Sequence, residues 1–319
     1  MLFSKIIKKQ FDKVLGRYEE DPALYFFSLQ DFPGLIAESY DIQGAQGKLR
    51  GYFYYYKEFN CNKFIIFDHG IGAGHRAYLK EIELLCHHGY TVYSYDHTGC
   101  VDSEGPGILA FSQGVNDLDH VITNLEHTDR LKDATIKLIG HSWGGYSSMN
   151  VVAFHPEVTH VVSLAGFLSA KALEEQYLPN IVKKYSVEVM DRERKINPDY
   201  ADLDARESLL KSKAALLHIQ SRDDKMVKFN LCTPLLQKAL EDRKRTQFVL
   251  TDNREHGPQL SDKAAKLYGE MNSKYEELKK HKKLETKAQQ DEFRNSQDWK
   301  AITTQDPIMW NKIIRFLES

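Results

Sequence analysis

Cysteine, net charge and long apolar runs are all scarce in this sequence. Four cysteines, Cys61, Cys86, Cys100 and Cys232, are scattered along 319 residues. They have neither metal-ligand spacing nor the density of a disulfide scaffold, so a reducing, cytoplasmic setting is the expectation, with no metal site. The 43 Lys and Arg nearly balance 45 Asp and Glu, for a net charge of −2. That balance offers no electrostatic attraction to nucleic acid. No stretch reaches about 18 apolar residues, so no membrane-spanning helix is expected. Internal repeats and low-complexity tracts do not occur. What is present is a composition 42% hydrophobic and 28% charged, enough to bury a large core.

The first residues have no uninterrupted apolar region and no small-residue cleavage site, so they do not read as a secretory signal. Phe3, Ile7, Phe11, Val14 and Tyr18 recur at helical spacing with Lys5, Lys8, Lys9, Lys13 and Arg17 between them. The spacing predicts an amphipathic helix over residues 1–20 packed on its own domain. Contact with an anionic membrane surface is the less favoured alternative.

Further on, Tyr40–Ile42 and Leu49–Tyr56 flank Gly44 and Gly47, a hairpin signal. Short apolar runs then alternate with helical patterns: Phe64–Phe67, Val92–Tyr95, Ile136–Ile139, Val161–Leu164, Leu216–Ile219 and Phe248–Leu250. Continuous apolar runs suit strands buried on both faces, and the alternation implies crossover helices. The expectation is an α/β fold with a mostly parallel sheet of about eight strands and helices on both faces. Length alone suggests about two domains, but α/β folds often reach this size as one domain with an insertion. Two connections are long. Residues 167–212 carry Leu173, Tyr177, Ile181 and Tyr185 at fourfold spacing, broken by Pro179, and predict a helical lid. Residues 260–300 are rich in Lys and Glu, with Leu267, Met271, Tyr275 and Leu278 in a narrow stripe, and predict a solvated helix or helical hairpin. Residues 1–166 and 213–319 then form the core, closed by a helix within Ile308–Leu317.

The strongest chemical signal is Gly140-His141-Ser142-Trp143-Gly144, between an apolar strand and a helical pattern. This is G-x-S-x-G in the strand-to-helix context that a nucleophile elbow requires. A serine on so tight a turn leaves no room for side chains two residues away, hence the glycines. The turn also sets the Trp143 N–H at a helix start, where it can face a developing oxyanion. A serine nucleophile needs a base and the base needs a carboxylate. Of the later histidines, His218 falls within a strand and His281 in the charged insertion. His155 and His160 flank the beginning of a strand. Only His256 follows the C-terminal end of a strand, where active sites of open parallel sheets lie. The strand Leu216–Ile219 runs into Ser221-Arg222-Asp223-Asp224, and the residues themselves leave Asp223 and Asp224 both open as the acid. A second oxyanion donor is expected from the glycine-rich loop Asp68-His69-Gly70-Ile71-Gly72-Ala73-Gly74. It lacks a phosphate-binding pattern.

Together these residues resemble the α/β-hydrolase superfamily, in particular its monoacylglycerol lipase, lysophospholipase and serine-aminopeptidase-like branch. The resemblance covers roughly residues 49–257 and the final helix. It implies an oxyanion donor at the Ile71 N–H, from His69-Gly70-Ile71, and it selects Asp224 through the alignment of Ser221 to Val227 with the branch's acid loop. Asp96 to Ser103 approximates a further stretch of the branch. Val101 stands where that stretch usually has its second glycine, and Ser221 where the acid loop usually has one. His69, His141 and the lid residue Tyr177 are candidate substrate contacts. The activity so implied is hydrolysis of a carboxylic ester with a small or medium acyl group, without cofactor or metal. Two rivals remain: a peptidase for short peptides, with Glu174, Glu175 and Glu188 holding an amine, and a non-catalytic binding protein of the same fold.

Overall fold

The computed structural model describes residues 12–72, 74–132, 134–177 and 186–319. Strands β1 (Leu35–Ser39), β4 (Gly51–Tyr56), β5 (Phe64–Asp68), β6 (Thr91–Tyr95), β7 (Ile136–His141), β8 (Val158–Leu164), β9 (Ala215–Ser221) and β10 (Thr246–Thr251) form one sheet. Their spatial order is β1-β4-β6-β5-β7-β8-β9-β10. β4 runs antiparallel to both its neighbours, and β5 to β10 pair in parallel. All six apolar runs of the sequence are strands. The N-terminal edge differs from expectation. β2 (Ile42–Gly44) and β3 (Gly47–Leu49) form a separate hairpin, with Ile42 opposite Leu49. Gly51–Tyr56 instead pairs with Leu35–Ser39. That outer strand buries only Leu35, so it leaves little apolar signal in the sequence.

Every residue of β5 and β6 is buried, as strands covered on both faces must be. The period of two sends Phe64 and Ile66 to one side, against Val115 and Leu118 of helix Gln113–Glu126 and Trp143 and Met149 of helix Trp143–Val151. Ile65 and Phe67 go to the other side, with Ile82 and Leu85 of helix Leu79–His87 and Trp310 and Ile313 of helix Pro307–Leu317. Each such side chain contributes about 1.5–3 kcal/mol by leaving water. The final helix begins where Asp306 accepts from the N–H groups of Ile308 (2.8 Å) and Met309 (3.3 Å), with a proline in its first turn.

The first long connection holds helices Ala170–Tyr177, Ser186–Ile196 and Ala205–Lys211. Ile181 and Tyr185 of the predicted stripe lie outside the described residues. Helix Ser186–Ile196 is fastened to the core by the buried Glu193, which accepts from the N–H groups of Phe111 (2.7 Å) and Ser112 (2.9 Å). In the second connection, helices Asp262–Lys280 and Lys287–Asn295 form the expected hairpin. It is not merely solvated. Met271, Tyr275, Phe293 and Ile302 bury a small core with Ala23, and Tyr275 Oη donates to Asp21 Oδ2 (2.5 Å).

A helix running to residue 20 does not form. Residues 1–11 lie outside the described residues, and helical backbone ends at Val14. Leu15 is buried in the core, and its carbonyl and that of Gly16 accept from Leu109 (3.1 Å) and Ile108 (3.2 Å). Tyr18 N–H then donates to Gly99 (3.0 Å) and its carbonyl accepts from Val101 (2.8 Å), so tertiary pairing holds this stretch extended. Among the described residues no helix is long and apolar enough to cross a membrane.

Candidate active site

The strand order reverses at β5, because the chain continues outward to β6 and then returns to β7 on the other side. Ligands of open α/β sheets bind at such a switch, beyond the C-terminal strand ends. Ser142 sits there, directly after β7. Its backbone has φ 55° and ψ −110°, a positive φ that a residue with a Cβ rarely adopts. The turn is held by Ser142 N–H donating to the Leu164 carbonyl (2.8 Å) and by Tyr146 N–H donating to the Ser142 carbonyl (3.0 Å). A Cβ on Gly140 would lie 2.2 Å from the Gly144 carbonyl oxygen, and one on Gly144 would lie 2.1 Å from that of Asp68. Both contacts are backbone on backbone, so neither position tolerates a side chain.

The glycine-rich loop packs on this turn. A Cβ on Gly70 would lie 3.3 Å from Ser142 Cβ, which sets the Gly70–Ile71 peptide against the serine. Trp143 opens the following helix, so its N–H is one of the unpaired donors of the first turn. Its side chain is buried, with the indole N–H donating to the Phe111 carbonyl (2.6 Å).

His256 and Asp224 meet. His256 Nδ1 lies 2.9 Å from Asp224 Oδ2, and the Asp224 side chain is fully buried. Oδ1 of the same carboxylate accepts from the N–H groups of Met226 (2.9 Å) and Val227 (3.0 Å). Asp223 points elsewhere. It accepts from the Ser221 hydroxyl and from Glu255 N–H (3.3 Å), and so braces the loop before His256. Glu255 itself has φ 46°. Arg254 anchors that loop further, through Asp306 (2.7 Å) and Asp262 (2.8 Å). Ser142 and His256 are brought to the same place, since the His141 and His256 rings are 4.8 Å apart. Among the described residues the Ser142 hydroxyl and His256 do not hydrogen-bond to each other.

Two of the three candidate substrate contacts have their ring nitrogens bonded within the protein. His69 is fully buried, with Nδ1 bonded to the Gly70 carbonyl (2.8 Å) and Nε2 accepting from His97 N–H (3.0 Å). His141 Nδ1 bonds to Tyr78 Oη (2.8 Å) and Nε2 to the His256 carbonyl (2.7 Å). Neither ring keeps a free nitrogen for a ligand. Burial depresses both imidazoles to about 3, so both are neutral. Tyr177 remains exposed, donating to the Met226 carbonyl (2.6 Å) just past Asp224. The other late histidines serve structure: His155 joins Asp119 and Glu157, and His218 joins Ser163 and Thr233.

Sequence reasoning missed a buried charge cluster beneath the site. His97 Nε2 lies 2.6 Å from Asp68, and Nδ1 lies 3.1 Å from Asp117. Burial works against its charge, but the two carboxylates prevail and lift it to about 9. The cluster supports the glycine-rich loop at its root, with the His97 ring 4.4 Å from that of Trp143. The adjacent pairs Asp68-His69 and Asp96-His97 at two strand ends are the signal that was there to read. Val101 adopts φ 43° where the resemblance expects glycine, so the loop keeps the glycine conformation at a cost in strain. In the first long connection Glu174 is buried, and neither carboxyl oxygen has a partner among the described residues. Burial and the nearby Glu193 push it up to about 9.

Residues 63–302 match the alpha/beta hydrolase fold family. The chain belongs to that family. Among solved structures, this alpha/beta hydrolase is similar to an esterase of Pyrococcus furiosus, with a TM-score of 0.59 at 17% identity, covering 83% of this chain and 98% of that one. An acylaminoacyl peptidase of Pyrococcus horikoshii gives 0.53 at 16% identity, over 72% of this chain and 39% of the peptidase. A putative dienelactone hydrolase of Klebsiella pneumoniae gives 0.55 at 13%, over 89% and 99%. At such identities the likeness is one of fold. Comparison with curated proteins gives no match.

Proposed function

We propose that this alpha/beta hydrolase is a serine esterase that transfers the acyl group of a carboxylic ester to water. The observation that carries the reading is the Asp224–His256 hydrogen bond beside a serine on a positive-φ elbow. In this reading Ser142 Oγ attacks the ester carbonyl and its proton passes to His256 Nε2, while Asp224 holds the ring by Nδ1. The Ile71 and Trp143 N–H groups receive the tetrahedral oxyanion, each contributing about 2.7–4 kcal/mol by analogy with another serine hydrolase. Collapse breaks the bond to the alcohol, which leaves with the proton from His256. Water, deprotonated by the same ring, then releases the acid and restores Ser142. Helices from residues 167–212 serve as a lid over a small to medium acyl group, with Tyr177 at its rim. Four free thiols suit a reducing cytoplasm.

A second reading, a peptidase, is favoured by Glu174, because a buried carboxyl with no partner among the described residues offers a seat for a substrate amine. Initial rates on p-nitrophenyl esters from acetate to palmitate, beside aminoacyl p-nitroanilides, separate the two. Turnover of esters that Ser142→Ala abolishes supports the esterase. Preference for the anilides supports the peptidase, and silence of a folded protein on both sinks the serine hydrolase altogether.

A further inference from the structure

Three loops must agree within a fraction of an ångström for the chemistry proposed above, and they come from three different strands. The elbow follows β7, the glycine-rich loop follows β5, and the His256 loop follows β10, two strands further along the sheet than β8. One residue of the elbow, His141, bonds to the His256 loop directly and reaches the glycine-rich loop through Tyr78. His141 Nε2 lies 2.7 Å from the His256 carbonyl oxygen, which can only accept, so Nε2 carries the hydrogen. The buried ring is neutral and has one N–H, so Nδ1 is bare and accepts from Tyr78 Oη (2.8 Å). The Tyr78 oxygen in turn accepts from Gly70 N–H (3.2 Å). Every direction in the chain is thereby fixed, from Gly70 N–H to Tyr78, to His141, to the His256 carbonyl.

We propose that His141 is a positioning residue that locks the backbone of the catalytic histidine to the nucleophile elbow and, through Tyr78, to the peptide bearing the Ile71 N–H. Asp224 orients the His256 ring, but a ring held only by Nδ1 still swings with its own backbone. The His141 bond removes that freedom at the carbonyl of the same residue. On the other side, Tyr78 holds Gly70, whose position beside Ser142 Cβ determines where the next N–H points. The inference rests on the serine hydrolase reading, with Ser142 as nucleophile and His256 as base.

A packing role predicts something different. His141→Leu keeps most of the volume and cuts both hydrogen bonds, whereas His141→Gln retains an N–H near the position of Nε2. Tyr78→Phe removes a single oxygen and leaves the fold with its ring. The measurement is the rate of covalent labelling of Ser142 by a fluorophosphonate, together with kcat and KM on the best ester and the melting temperature. Positioning predicts about a 100-fold slower labelling in His141→Leu, the size expected for a misplacement near 1 Å, with at least tenfold recovered in His141→Gln. It predicts that Tyr78→Phe lowers kcat about tenfold or more with KM within about twofold, since the oxyanion contact matures in the transition state. In His141→Leu the chain is already cut, so adding Tyr78→Phe should cost less than its effect alone. Labelling of folded His141→Leu within threefold of the parent overturns the proposal, as does equal loss in His141→Leu and His141→Gln. If His141→Leu does not fold, kcat of Tyr78→Phe within twofold of the parent overturns it. A parent protein that the fluorophosphonate does not label removes the serine hydrolase reading itself, and this inference with it.

Discussion

Replacing Asp224 by asparagine tests the acid assignment through the hydrogen-bond directions around it. Oδ1 accepts from two backbone N–H groups, those of Met226 and Val227 at 2.9 and 3.0 Å, while Oδ2 faces His256 Nδ1 at 2.9 Å. An asparagine must keep its carbonyl oxygen toward the two backbone donors. The flipped amide would lose both bonds and oppose donor to donor, at a cost of roughly 2 kcal/mol or more. The NH2 group is therefore forced onto His256 Nδ1, which must give up its hydrogen. The ring then carries its proton on Nε2 and has no lone pair for the Ser142 hydroxyl. The same exchange in a chymotrypsin-like protease lowers kcat about 10⁴-fold with the geometry intact. A fall of about 10³–10⁴-fold in kcat/KM on the best p-nitrophenyl ester is expected here, or about 4–5.5 kcal/mol of transition-state stabilisation. Asp223→Asn keeps an oxygen for Ser221 and Glu255, so it should stay within about tenfold of the parent. Urea unfolding of both variants checks that the fold survives. Asp224→Asn within tenfold of the parent, or Asp223→Asn losing more than Asp224→Asn, refutes the reasoning.

The remaining expectations follow from other parts of the molecule. Gly140→Ala sets a Cβ 2.2 Å from the Gly144 carbonyl, so the elbow must move by about 1 Å and turnover should fall about 100-fold, read by the same ester assay. His97 is raised from 6.5 to about 9 in the fold, so its contribution is fully present below pH 6.5 and is lost as pH rises through about 9. The urea midpoint should decline between those pH values. Glu174 titrates in the same direction, so the assignment depends on His97→Gln removing part of the decline. Phe293→Ala empties the small core between the charged insertion and residues 21–25. It should cost that unit about 3–5 kcal/mol and speed amide exchange across 262–302 ahead of β5 to β9.

How far the sequence carried can be judged element by element. Five of the six parallel strands were legible because burial on both faces gives each an apolar run of four residues, whereas the edge strand β10, none of whose residues is buried, showed only the three of Phe248–Leu250. Leu35–Ser39 was not legible, because an edge strand buries one residue in five and its pairing depends on Gly51–Tyr56. The helical pattern before residue 20 was real to Val14 but was overridden from Leu15 onward, where backbone pairing with 99–101 and 108–109 favours an extended chain. In the insertion, the stripe Leu267, Met271, Tyr275 and Leu278 announced a helix with one apolar face. It did not say that Ala23 and Phe293 would cover it.

At the candidate site the same division holds. Ser142 and its two glycines could be named from the chain alone, because a turn without room for side chains and a strand-to-helix transition are both local properties. His256 was the candidate base because, of the histidines after Ser142, it alone was expected to follow the C-terminal end of a strand, and the fold sets its Nδ1 2.9 Å from Asp224 Oδ2. The choice between Asp223 and Asp224 could not be made locally, since neighbouring residues on a loop point in different directions and only the folded loop decides which one meets the imidazole. The roles of His69 and His141 were likewise out of reach. Each was a candidate substrate contact, and each has both nitrogens engaged by groups brought near only in the fold. The sequence by itself determined the residue types and spacings that local backbone geometry demands. Tertiary structure decided which polar atoms face each other, because hydrogen bonds between loops depend on strand order rather than on distance along the chain.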